Sequence, residues 1–151
     1  SRFAMNHPAL PSMFRPILTP SGVSLPLFTG SVPAGFPSPA DDYLDGRLSL
    51  DAHLIPNKDS TFLVRASGNS MVGAGIFDGD LMVVDKGLDA KIGDIVVAVV
   101  DGEFTVKYLA EREGRIYLKP ANHLFRDITL GEGQELSIWG VVTSTIKQFR
   151  S

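Results

Sequence analysis

Proline is concentrated at the start of this chain: residues 1–40 contain eight of the ten prolines in the protein. Each proline removes a backbone N–H donor and restricts the conformation of the residue before it. A segment with this proline density cannot form a long helix or a strand in the middle of a sheet. We therefore predict that the chain begins with an extended arm.

From about residue 60 the sequence changes to short runs rich in β-branched and aromatic residues, which are typical of strands. These runs predict strands at residues 61–66, 81–85, 95–100, 103–109, 115–118 and 138–146. Asp101-Gly102 predicts a hairpin, because this pair favours a two-residue turn. No helical pattern of twelve residues competes, and only Ser38–Leu50 suggests a short helical turn. The predicted fold class is a mostly β domain preceded by an extended proline-rich N-terminal arm.

The composition of the chain excludes several classes of protein. Its 151 residues suffice for one domain with a hydrophobic core, and a formal net charge of −3 gives no general attraction to DNA or anionic membranes. The absence of cysteine excludes disulfides, thiol nucleophiles and thiolate metal sites. No apolar run is long enough to span a bilayer, and residues 1–6 lack a signal-peptide pattern. We expect a cytoplasmic protein with no membrane anchor and no sequence-specific DNA binding.

The segment Ser67-Gly68-Asn69-Ser70-Met71 is the first candidate for chemistry. Glycine and asparagine let the backbone turn sharply and present N–H groups and a hydroxyl. Ser70 there could be a nucleophile, but on this pentapeptide alone an ordinary loop is the better interpretation. The usual base for a serine is histidine. We interpret His7, His53 and His123 as surface residues, because they lie in the arm or in polar segments without metal-ligand spacing.

Lys107 is the other candidate base, and it lies in the predicted strand Glu103–Leu109. Because side chains alternate along a strand, Thr105 and Lys107 share one face. A lysine there is either a surface charge on an edge strand, the commoner case, or a buried amine. A general base must be neutral, and burial would lower the pKa of lysine from its usual ~10.4. The residues alone do not show that Ser70 and Lys107 meet.

The acidic residues suggest no competing enzyme. Asp78 and Asp80 flank Gly79, where aspartate is expected to form hydrogen bonds with the backbone of a turn. The chain also lacks a P-loop and a dinucleotide-binding fingerprint. We therefore predict neither a metal nor a cofactor.

Three segments together resemble the LexA-like family of self-cleaving serine peptidases. They are Ser67-Gly68-Asn69-Ser70-Met71, Asp78-Gly79-Asp80-Leu81 and Asp101-Gly102-Glu103-Phe104-Thr105-Val106-Lys107. That family uses a Ser–Lys dyad in a largely β domain, with the serine in Ser-Gly-x-Ser-Met and the lysine after Phe-Thr-Val. The resemblance implies Ser70 as the nucleophile and Lys107 as the general base. It also implies Asn69, Met71 and Thr105 as oxyanion or supporting residues.

Members of that family are cut at a small-residue–Gly bond upstream of the catalytic domain, and Ala34-Gly35 is such a bond. Without the downstream dyad, the same pair would be interpreted as a flexible point in the arm. The resemblance implies an arm of residues 1–34 that self-cleavage removes, a linker of residues 35–59 and a peptidase domain of residues 60–151. The segment between Gly35 and Ser70 can span on the order of 100 Å when extended, so the bond can reach its own site or a partner's.

The resemblance also implies a role in the SOS response to DNA damage. A RecA–single-stranded DNA filament would stimulate cleavage, and the shortened homodimer would serve a Y-family translesion DNA polymerase as an accessory subunit. One alternative is a LexA-type repressor, but residues 1–33 are too short and proline-rich for a helix-turn-helix domain. A second is a signal-peptidase-like enzyme acting in trans, which would need a membrane anchor. A third is a non-catalytic binding module, which a folded, dimeric but uncleaved protein would favour.

Overall fold

The computed structural model describes residues 23–28, 30–37 and 44–150, which fall into two compact units. The smaller unit lies within Ile17–Pro56, and the larger includes Asn57–Ser151. Within the described ranges, no helix has the length and apolar composition needed to cross a membrane. Residues 1–22 of the predicted arm lie outside the described residues, so the arm and the domain boundaries remain predictions.

The smaller unit contains a two-stranded antiparallel sheet and one short helix. Strand β1 is Leu25–Phe28 and strand β2 is Leu44–Leu48. Helix α1 is Leu50–Leu54, and it begins where the Ser49 hydroxyl accepts a hydrogen bond from the Ala52 N–H. Pro26 lies in β1. A proline is compatible with this strand because both strands of a two-stranded sheet are edge strands.

The helical turn predicted over Ser38–Leu50 is wrong in its described part. Residues 44–48 form β2 instead, and helix α1 begins only at Leu50. Gly46 has a φ of +131°, which a helix does not allow, and Ser49 supplies the capping oxygen for the following residues. Residues 38–43 lie outside the described residues.

A seven-stranded antiparallel sheet makes up most of the larger unit. Its strands are β3 (Thr61–Arg65), β4 (Leu81–Asp85), β5 (Ile95–Val100), β6 (Glu103–Arg112), β7 (Arg115–Lys119), β8 (Ile128–Thr129) and β9 (Leu136–Ile146). Their order in the sheet is β3-β4-β9-β5-β6-β7-β8. The mostly β fold class is confirmed, and each predicted strand is present. In this sheet the two-residue β8 has no predicted counterpart, and neither do β1 and β2 of the smaller unit.

The hairpin predicted at Asp101-Gly102 is confirmed. Val100 pairs with Glu103 across the turn, and the two turn residues have φ values of 48° and 81°. Two successive positive φ values are the signature of a type I′ turn, whose twist matches that of the flanking strands. This turn fixes the register of β6 and therefore the position of Lys107 along it.

Strand β9 lies inside the sheet and helps to bend it. It pairs with β4 on one side and β5 on the other, and its register shifts at Val83/Val84 and at Val97/Ala98. Such bulges increase the local twist of a sheet. In a flat sheet β3 and β6 would be roughly 19 Å apart, because three strands separate them. Instead, apolar side chains of both strands pack on one core around Trp139.

Gly140 allows β9 to lie close to β4. A Cβ atom added there would be 2.6 Å from Val84 Cγ1 and 3.3 Å from the Asp85 carbonyl oxygen. We expect Gly140→Ala to lower the free energy of unfolding by about 1–3 kcal/mol, because the strands must move apart. In the control, Gly131→Ala, the new Cβ would meet only the flexible end of Gln134. Chemical denaturation of both variants measures the difference, and equal stabilities would contradict the packing argument.

Candidate active site

The serine loop, Ser67–Met71, connects β3 to a 3₁₀ turn at Val72–Ala74. Gly68 has a φ of +87°, which favours glycine, and its N–H donates a hydrogen bond to Asp78 Oδ1 at 2.8 Å. The Met71 side chain is buried in the core. The loop is therefore held at both ends, by a hydrogen bond before Ser70 and by apolar packing after it.

A tight turn at residues 77–80 supports the serine loop. The Phe77 N–H and the Lys147 amine both donate hydrogen bonds to Asp80 Oδ2. These two hydrogen bonds lower the pKa of Asp80 below its usual 3.8, and the bond from Lys147 has the larger effect. The expected hydrogen bond with the turn backbone is confirmed for Asp80, whereas Asp78 accepts its backbone hydrogen bond from Gly68 in the serine loop.

Lys107 is a buried amine rather than a surface charge, with only 8% of the residue exposed. Its Nζ atom lies 3.0 Å from Ser70 Oγ, 2.7 Å from Thr105 Oγ1 and 3.1 Å from the Val106 carbonyl oxygen. These partners are uncharged, and Lys107 forms no ion pair within the described residues. Burial lowers the pKa of the Lys107 amine below its usual 10.5, because desolvation disfavours the charged form.

Ser70 and Lys107 line a cavity of about 250 Å³. Its walls come from the serine loop and from strands β3, β4, β5 and β6. The apolar part of the lining consists of Val64, Ala66, Met71, Ile76, Met82, Val97, Phe104 and Val106. A cavity with two polar side chains and an apolar wall can hold a small uncharged group and keep water away from it.

The structure brings four of the predicted site residues to this cavity: Ser70, Lys107, Thr105 and Met71. The side chain of Asn69 is exposed and does not line the cavity. Ala34 and Gly35, in the smaller unit, are both exposed. The roles assigned to all of these residues remain predictions.

Neither of the two described histidines, His53 and His123, is part of the cavity lining. His53 lies in the last turn of α1, His123 lies in an exposed loop, and His7 is outside the described residues. Across residues 23–28, 30–37 and 44–150, no group of three or more acidic or histidine side chains is arranged to hold a metal ion.

Residues Ala121 and Asn122, for which the sequence predicts no role, also form hydrogen bonds with the serine loop and the turn that follows it. The Ala121 N–H donates to the Ser70 carbonyl oxygen at 2.8 Å, and the Gly73 N–H donates to the Ala121 carbonyl oxygen at 2.7 Å. Asn122 Nδ2 donates to the Asn69 carbonyl oxygen at 2.9 Å. The only sequence signal is the turn composition of Pro120-Ala121-Asn122, which does not indicate its distant partner.

Comparison with known proteins places this chain in a family. Residues 26–143 match the family model for Peptidase S24-like proteins. The chain is 50% identical to SamA of Salmonella typhimurium over 126 residues, which is 83% of this chain and 87% of SamA. It is 46% identical to ImpA of Escherichia coli over 125 residues, 83% of this chain and 85% of ImpA.

A more distant relative is the LexA repressor of Clostridium novyi. The two are 34% identical over 134 residues, which is 89% of this chain and 65% of the repressor. Membership of this family supports a peptidase. The predicted resemblance is confirmed: the chain belongs to the peptidase S24-like family, in which it is similar to the UmuD-like SOS mutagenesis proteins.

Proposed function

We propose that this protein is a serine peptidase that cleaves its own chain between Ala34 and Gly35, with Ser70 as nucleophile and Lys107 as general base. The observation that carries the proposal is the 3.0 Å distance between Lys107 Nζ and Ser70 Oγ, with the amine buried. Membership of the peptidase S24-like family supports the same chemistry. The Ser–Lys pair is an attested variant of the serine-peptidase triad.

The surroundings of the Lys107 amine suit a base. A protonated lysine has three N–H donors, and three oxygens lie within hydrogen-bond distance of Nζ. The neutral amine has two N–H donors and one lone pair. Thr105 Oγ1 and the Val106 carbonyl oxygen then accept the two N–H groups, and the lone pair faces Ser70 Oγ. The serine can therefore donate its proton to Nζ as its oxygen attacks.

The proposed reaction is an acyl transfer to serine followed by hydrolysis. Ser70 Oγ bonds to the carbonyl carbon of Ala34, and the resulting oxyanion accepts hydrogen bonds from the N–H groups of Asn69 and Ser70. The Lys107 ammonium then gives its proton to the Gly35 nitrogen as the peptide bond breaks. Water attacks the Ala34 ester, returns a proton to Ser70 and releases the arm. The small side chain of Ala34 and the absence of one at Gly35 allow the close approach of the scissile bond to Ser70 that this reaction requires.

We further propose that the cut form works in the SOS response. In this proposal a RecA–single-stranded DNA filament stimulates cleavage in the cytoplasm. The product of residues 35–151 forms a homodimer that serves a UmuC-like Y-family translesion polymerase as an accessory subunit. The similarity to SamA and ImpA, which are UmuD-like SOS mutagenesis proteins, supports this role.

Intact-mass spectrometry of the purified protein tests the proposal. The protein is incubated at neutral pH, at about pH 10, where a larger fraction of the Lys107 amine is neutral, and at neutral pH with the RecA filament. We expect one pair of products, whose masses place the cut between Ala34 and Gly35, with faster cleavage at high pH and with the filament. A chain that stays whole under all three conditions would overturn the peptidase and favour a binding module.

A further inference from the structure

Two consecutive peptide groups flank the Cα atom of Ser70, and residues 121–122 hold both of them. The carbonyl oxygen of the first group, from Asn69, accepts a hydrogen bond from Asn122 Nδ2 at 2.9 Å. The carbonyl oxygen of the second, from Ser70, accepts one from the Ala121 N–H at 2.8 Å. Because each peptide group is planar, a hydrogen bond to each carbonyl oxygen restrains φ and ψ of Ser70. The direction of the Cα–Cβ bond, from which Oγ reaches Lys107, is restrained with them.

The bond from Asn122 also aims an N–H group. In a trans peptide the C=O and N–H bonds point in opposite directions, so holding the Asn69 oxygen turns the Ser70 N–H away from Asn122. Among the described residues, the Ser70 N–H has no acceptor. A backbone N–H that is fixed in direction but not already bound is suited to stabilise a developing oxyanion.

Asn122 is itself oriented before any substrate binds. Its Oδ1 accepts a hydrogen bond from the Leu124 N–H at 3.0 Å. The amide nitrogen is therefore the atom that faces the Asn69 carbonyl, because only the nitrogen can donate. The Asn122 residue is half-buried.

We propose that Asn122 is a positioning residue for self-cleavage. It holds the Ser70 N–H as an oxyanion donor and keeps Ser70 Oγ in line with the Lys107 amine. This inference rests on the proposed function, and it deepens it by adding a residue that acts through the nucleophile loop rather than on the substrate. Ala121 contributes through its backbone, so Asn122 is the contact of the two that a substitution can remove.

The test compares the pH profiles of self-cleavage for the wild type, Asn122→Asp, Asn122→Gln and His123→Ala. Asn122→Asp keeps the shape and the acceptor for Leu124 but loses the N–H donor, whereas Asn122→Gln keeps a donor. At the high-pH plateau, where Lys107 is neutral in each protein, we expect Asn122→Asp to be about 10- to 100-fold slower than the wild type. Asn122→Gln should recover part of this loss. His123→Ala, with an exposed neighbouring side chain, should match the wild type.

The plateau separates positioning from other effects of the substitution. A new carboxylate can raise the pKa of Lys107 and move the midpoint of the profile, but it does not lower the plateau for that reason. Thermal unfolding, followed in parallel, should show all four proteins folded with similar midpoints.

Each failure has its own signature. Wild-type plateau rates in both Asn122 variants would overturn the inference and leave the proposed function standing. Equal losses in Asn122→Asp and Asn122→Gln, together with lower thermal stability, would assign Asn122 a purely structural role and also overturn it. An inactive wild type would instead overturn the proposed function and this inference with it.

Discussion

Replacing Ser70 with alanine, or Lys107 with methionine, is expected to abolish self-cleavage. Ser70→Ala removes the oxygen that forms the acyl bond, and Lys107→Met removes the base while filling the same space with an apolar chain. Loss of either member of a nucleophile–base pair lowers the rate by at least roughly 10⁴-fold. A time course followed by intact-mass spectrometry should show the uncut chain in both variants when the wild type is fully cut.

The controls for this experiment are Ser137→Ala and Lys91→Met, which make the same chemical changes outside the cavity lining. Both should cleave at the wild-type rate. Cleavage at Ala34–Gly35 in either Ser70→Ala or Lys107→Met, at a rate near that of the controls, would rule out the proposed dyad.

We do not expect loss of cleavage in Lys107→Met to result from unfolding of the variant. Because burial lowers the pKa of Lys107, the folded protein binds fewer protons than the unfolded protein between the folded-state pKa and 10.5. The free energy of unfolding therefore rises with pH across that window. Below the window the amine is charged in both states, and burying that charge lowers the free energy of unfolding by its full amount. Removing the amine relieves that effect at neutral pH. We expect Lys107→Met to unfold no more readily than the wild type.

Local sequence patterns predicted those parts of the site that depend on a single strand or turn. Strand alternation places Thr105 and Lys107 on one face, and their side chains form a 2.7 Å hydrogen bond. The Asp101-Gly102 turn sets the register of the strand that carries both. In each case the partner residues are close in the chain, so that local rules suffice.

The contact between Ser70 and Lys107 could not be predicted from local patterns. The serine loop follows β3 and the lysine lies on β6, and three strands of the sheet separate them. The two meet because the sheet curves, and the curvature involves register shifts in β9 that alternation does not reveal. The LexA-like resemblance supplied the pairing instead, because it carries information about the whole fold.

The hydrogen bond from Asn122 to the Asn69 carbonyl lies beyond the reach of sequence analysis for a similar reason. A backbone carbonyl has no sequence identity, so nothing at position 69 indicates that its oxygen needs a donor. Asparagine in a turn after Pro120 is adequately explained by turn chemistry alone. The helical turn predicted over Ser38–Leu50 is wrong over residues 44–48 for a different reason, since the pairing of β2 with β1 overrode a weak local preference.

The rate of self-cleavage is expected to rise about tenfold per pH unit while Lys107 is mostly protonated, because only the neutral amine can accept the serine proton. The rise should end in a plateau once the pH exceeds the folded-state pKa of Lys107. Since burial lowers that pKa, the midpoint should fall below 10.5, the ordinary value for lysine. Rate constants measured by intact mass between about pH 6 and pH 10 give the profile, with unfolding monitored at each pH.

Thr105→Val provides an internal check on the identity of the titrating group. Thr105 Oγ1 accepts a hydrogen bond from Lys107 Nζ at 2.7 Å, and such a bond is stronger when the donor is charged. Removing the hydroxyl therefore destabilises the ammonium more than the neutral amine. The midpoint of the profile should move to lower pH, while the plateau falls because the amine is less well oriented toward Ser70. A rate that does not depend on pH, or a midpoint that Thr105→Val leaves unchanged, would contradict Lys107 as the base.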